Sequence, residues 1–151
     1  MRTFFAALAA APPPAFWLGI GGLFPIVGLT ILTVFWPDTW YAFWLTTLLQ
    51  YGAIILSFVG ALQWGYAVHL ARPGHPASAR FVWSVTPALI AWLSFQLPVW
   101  TALRLQAGAL MLCYFVDRNL SVADNTPSWL LPLRLILTMA ASTFLLIASV
   151  A

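Results

Sequence analysis

Charge is what this chain has least of. Six arginines and three aspartates make up 6% of its 151 residues, and it has no lysine and no glutamate. A soluble domain carries roughly 25% charged residues, so no water-facing surface is built from this set. The arginines (Arg2, Arg72, Arg80, Arg104, Arg118 and Arg134) are scattered along the chain. No basic face forms, which excludes nucleic-acid binding. Cys113 is the sole cysteine, so no intrachain disulfide exists. The only histidines, His69 and His75, fall at a helix end and in the loop after it, separated by Pro73. That placement offers no pair on facing helices for a metal or haem. No H-E-x-x-H, G-x-S-x-G or phosphate-loop pattern is present. A non-enzymatic protein without cofactor or metal is the expectation.

What the chain has is hydrocarbon: 63% of residues are hydrophobic and 16% aromatic. The stretch Tyr51 to Gly65, YGAIILSFVGALQWG, organises the rest. Ala53, Ser57, Ala61 and Gly65 recur every four residues and form a ridge of small side chains on a helix, widened by Gly52 and Gly60. In a bilayer, small residues let neighbouring backbones approach. Ala53, Ser57, Gly60, Ala61 and Gly65 are therefore expected to be buried between helices.

A bilayer crossing needs about 20 apolar residues. Five such segments follow one another: 16–35, kinked at Pro25; 40–70; 81–97, kinked at Pro87; 101–116; and 129–150, with Pro132 in its first turns. Trp36, Trp40, Tyr41 and Trp44 mark an interfacial turn. Residues 72–80 and 117–128 read as loops. Residues 1–14 begin like a targeting signal, but Pro12, Pro13 and Pro14 follow where cleavage needs a small accessible residue. The expected organisation is a retained surface segment over 1–15 and an all-α, polytopic membrane bundle of five transmembrane helices over 16–151. Five crossings put Arg2, Arg72, Arg80, Arg118 and Arg134 on one side and Arg104 on the other. The positive-inside rule then makes the N-terminus cytoplasmic and the C-terminus outside, in a bacterial inner membrane.

Polar groups at depth need partners. Toward the outer side, Gln50, Gln96, Arg104 and Gln106, with Trp100 and Asp38 at similar depth, are candidates to line one cavity. Trp92 would supply an apolar wall beside them, as would Trp64 and Trp83 deeper in. Arg104 snorkelling to the headgroups is the plainer alternative. Toward the inner side lie Gln63, Trp64, His69, Ser84, Asp117, Arg118 and Arg134. Asp117 and Arg134 flank one short loop and are expected to form an ion pair. A ligand carboxylate or phosphate at Arg134 is the sharper alternative.

Four stretches together carry a resemblance: GIGGLFP at 19–25, the central YGAIILSFVGALQWG, SVTPALIAW at 84–92 and LRLILT at 133–138. They resemble the transmembrane-protein-69-like family, with bacterial and mitochondrial members. The resemblance implies a membrane bundle and supplies no catalytic residues. Five helices and nine tryptophans are also similar in architecture to the translocator-protein family, whose motifs are absent.

Three roles fit these features. The first is a binder of a small hydrophobic ligand of the lipid, quinone or tetrapyrrole class, seated between the second, third and fourth crossings. The second is an accessory subunit whose small-residue ridge meets a membrane protein partner. The third is a small oligomeric permease. The lipid bilayer is a partner in all three.

Overall fold

The computed structural model describes residues 2–36, 39–71, 77–123 and 127–151. Among these every regular element is an α-helix: α1 (Arg2–Ala9), α2 (Pro13–Gly21), α3 (Phe24–Phe35), α4 (Tyr41–Leu70), α5 (Ser78–Ser94), α6 (Val99–Ala123) and α7 (Leu130–Ala148). Asp38, Arg72 and His75 lie outside the described residues.

Four segments among the described residues are long and apolar enough to cross a membrane: Pro13–Phe35, Tyr41–Leu70, Val99–Leu120 and Leu130–Ala148. Five were expected. The difference is α5, which has 17 residues, at the short limit of about 17 residues for a crossing helix. The first crossing is also not one kinked helix. It breaks between α2 and α3, and Pro25 sits in the first turn of α3, where its missing N–H costs no helical bond. Tyr51 of α4 donates a hydrogen bond of 3.0 Å to the Gly22 carbonyl at this break.

The central helix is α4, which packs against α3, α5, α6 and α7. Its buried row runs Leu45, Leu49, Gly52, Leu56, Gly60 and Gln63. These steps mix three and four residues and so stay on one face. The expected ridge does not. Each four-residue step advances about 40° around a 3.6-residue helix, so three steps turn the row by about 120°. Ala53 is buried and Ser57 half-buried, but Ala61 and Gly65 have rotated onto the exposed face. Gly60 lies on the true seam, where a Cβ would meet the Ser84 carbonyl at 2.8 Å and the Pro87 ring at 2.9 Å.

α5 runs antiparallel to α4. Arg80 at its start bonds Gln63 near the end of α4. Ser94 at its finish accepts a hydrogen bond from Gln106, whose amide also donates to the Leu49 carbonyl. α6 and α7 close the bundle through small residues, among them the buried Ala107 and Ala141. Ser142 donates to the Ala107 carbonyl across that seam at 3.1 Å. α1 and α2 pack on α7.

Candidate functional site

The outer polar residues do not gather into one cavity. Gln50 and Gln96 are exposed, and Trp92 faces outward with 61% of its surface free. Arg104 is exposed and reaches the end of α7, donating to the Ser149 hydroxyl at 3.2 Å and to its carbonyl at 3.0 Å. A cation there meets the negative end of the helix dipole. Gln106 alone turns inward and is fully buried. Its NH2 group is spent on Leu49 and Ser94, and its carbonyl oxygen presses on Gly52, where a Cβ would stand only 2.3 Å away. Gly52 is glycine because Gln106 fills the space of its side chain. Gln106 ties α6 to α4 and to the end of α5, and Arg104 ties α6 to the end of α7.

The opposite end holds a buried polar cluster drawn from four helices. Gln63 of α4 donates to Asp117 of α6 at 2.6 Å. Arg80 of α5 donates to the Gln63 side-chain carbonyl and, at 2.9 Å, to the Leu120 backbone carbonyl. Its guanidinium also lies 5.9 Å from the centre of the Tyr66 ring. Arg134 of α7 forms an ion pair with Asp117. All four side chains of the chain Arg80–Gln63–Asp117–Arg134 are buried. The structure thus brings Asp117 and Arg134 together and adds two members. Gln63 was visible as a polar group at this depth. Arg80 was not, because residues 72–80 read as loop whereas α5 already starts at Ser78. His69 and Arg118 are exposed and stand apart from the cluster, and Ser84 turns back on its own helix to the Phe81 carbonyl.

Arg134 also lines a cavity about 360 Å³ in volume, bounded by α2, α3, α4, α6 and α7. Its walls are hydrocarbon: Ile26, Ile55, Val59, Leu133 and Leu137 among others. Leu18 and Phe58 line it and are exposed, so it opens sideways between the first crossing and α4. Gly19 allows α2 to close against Leu137, which a Cβ would approach to 2.9 Å. Besides Arg134, the polar side chains of the lining are Thr138 and Trp129. Of the tryptophans expected as walls, Trp64 and Trp92 face outward and Trp83 packs half-buried on the core.

Known proteins are similar to this chain over nearly its whole length. A family model described as a protein of unknown function, DUF3429, matches residues 11–150. Transmembrane protein 69 of Xenopus tropicalis is 35% identical over 147 residues, covering 93% of this chain and 55% of that protein. Transmembrane protein 69 of Mus musculus is 24% identical over 140 residues, covering 93% and 57%. The chain spans about half the length of the curated relatives it matches. No solved structure matches it. Relatives drawn from vertebrates support an integral membrane protein and not the bacterial inner membrane in particular. With the family match and the apolar crossing helices in agreement, the chain is an integral membrane protein that belongs to the DUF3429 family, alongside the transmembrane-protein-69-like proteins.

Proposed function

We propose that the protein binds a small hydrophobic molecule without transforming it, in the cavity between α2, α3, α4, α6 and α7. The observation that carries this reading is the cavity itself: about 360 Å³, walled by hydrocarbon, open toward the side of the bundle and bounded by one buried arginine. Ligand pockets of about 300–1,000 Å³ with mostly apolar walls and a few polar groups are the usual form of small-molecule sites. Among the described residues the lining offers no histidine, methionine or cysteine to ligate a haem iron, so lipid and quinone classes fit these walls better than a haem-like tetrapyrrole. Val59 is half-buried in the wall, and Val59→Phe would fill the space with ring atoms. Protein purified in mild detergent is expected to lose at least about tenfold of its retained lipid or quinone on this substitution, while melting no lower, since filling a cavity is commonly stabilising. Equal retention in the variant rejects the site.

Five crossings are part of the proposal. α5 reaches Gln63 near one end of α4 and, through Ser94 and Gln106, Leu49 near the other, which supports a helix that traverses the bundle despite its 17 residues. The side carrying Arg80, Arg118 and Arg134 then faces the cytoplasm. In a bacterial host, alkaline phosphatase fused after Ala151 is expected to be active and fused after Gly74 inactive. Activity at Gly74 overturns the orientation.

The accessory-subunit reading keeps one supporting observation. Ala61 and Gly65 face outward, and nothing lies within 4 Å of a Cβ built on Gly65. A partner that co-purifies with the wild type and is lost in Gly65→Leu, with no retained small molecule in either, would favour it.

A further inference from the structure

We infer that the cavity selects an amphiphile with one hydrocarbon chain and an anionic head, and that Arg134 holds the head. The inference rests on the cavity being a ligand site, as proposed above. Its first support is the donor set. Among the described residues the polar side chains of the lining are a guanidinium, a hydroxyl and an indole, with no carboxylate or carboxamide. Guanidinium and indole only donate hydrogen bonds. A cationic head would find no acceptor of matching charge, whereas an anion finds donors throughout.

The second support is an unmet bond. Arg134 is only 7% exposed, and its Nε has no hydrogen-bond partner among the described residues. A buried donor left unpaired costs about 1–3 kcal/mol, and more when charged, so native structures rarely keep one without reason. Asp117 does not bond Nε itself. It is already shared between Gln63, on one oxygen, and the Nη2 of Arg134, on the other. Asp117 therefore acts as a positioning residue, holding the guanidinium at Nη2 while Nε is left without a protein partner among the described residues.

The third support is arrangement. Arg134 and Thr138 are four residues apart on α7 and so stand one above the other on one face. Leu137 and Ala141 continue the wall beyond them as plain hydrocarbon. Two donors stacked on one face beside hydrocarbon on the next suit a head and a tail. About 360 Å³ is near the lower end of ligand cavities, which fits a single chain and not a two-chain lipid.

The test uses the full chain in detergent micelles, titrated with palmitate, lysophosphatidate, hexadecanol and hexadecylamine and read by native mass spectrometry. At least one of the two anionic probes is expected to bind tenfold or more tighter than hexadecanol, and hexadecylamine weakest. Palmitate in front identifies a free carboxylate as the head, and lysophosphatidate in front identifies a lipid phosphate. Hexadecanol binding as well as both anions overturns the anionic preference and leaves the cavity reading standing. No binding of any of the four overturns both. In the paired variant Arg134→Gln with Asp117→Asn, the anionic advantage over hexadecanol is expected to disappear; its survival shows that Arg134 is not the anchor. Should that variant not fold, Arg134→Lys, which keeps a cation for Asp117 but lacks Nε, is expected to lose at least fivefold of the advantage, and an undiminished advantage there overturns the assignment.

Discussion

Arg134→Gln alone is expected to destabilise the bundle by about 3–5 kcal/mol, more than the paired change Arg134→Gln with Asp117→Asn. The reason is what each substitution leaves behind. With Arg134 gone, the Asp117 carboxylate stays buried with the Gln63 amide as its remaining direct partner among the described contacts. An amide satisfies a lone pair but brings no countercharge. Asp117→Asn alone leaves the Arg134 guanidinium in the same position, a charge without its partner. Changing both removes both charges and lets two amides face each other. A double-mutant cycle on thermal unfolding in detergent isolates the coupling, and zero coupling between the two sites would reject the pair as a structural element. The effect should reach α5 as well, because Arg80 is held through the Gln63 carbonyl whose amide is turned by Asp117.

Much of this end of the molecule was legible, and the reason is energetic. In a chain with nine charged residues, each charge at membrane depth has to be matched, so Asp117 and Arg134 select each other by depth alone. Gln63 was legible as a polar residue and not as a bridge. Which of its two faces meets which neighbour depends on helix rotation, and sequence depth carries no information about rotation. Arg80 was hidden by the loop signal of the prolines and glycine before it, which set the start of α5 three residues late. The outer group failed for a related reason. Similar depth does not bring side chains to one side: Gln50 on α4, Gln96 in the turn after α5 and Arg104 on α6 are exposed, and Gln106 is buried. The cavity was the least legible feature. It depends on how five helices splay from one another, including the break between α2 and α3, and side-chain type along a hydrophobic run carries no information about that spacing.

The small-residue pattern on α4 gives the sharpest contrast between neighbouring glycines. Gly60→Ala is expected to destabilise by about 1–3 kcal/mol, the usual overpacking cost, and Gly60→Leu by more. The added Cβ meets the Ser84 backbone carbonyl at 2.8 Å and the Pro87 ring at 2.9 Å. Neither can rotate aside: one is main chain, and the other is a closed ring inside a helix. α5 must then move away from α4. Gln63 lies one turn along the same face, so the displacement also draws Arg80 from the Gln63 carbonyl and loosens the cluster that fixes Arg134. Gly65 is the internal control. A Cβ there has nothing within 4 Å, and alanine is the better helix former by up to about 1 kcal/mol, so Gly65→Ala should leave the melting temperature unchanged or raise it. Ala61→Leu, on the same exposed face, should also be tolerated. The measurement is thermal unfolding of the purified variants in one detergent. A Gly60→Ala protein that melts with the wild type would mean that α4 and α5 do not meet at this glycine, and the depth assigned to α5 would fall with it.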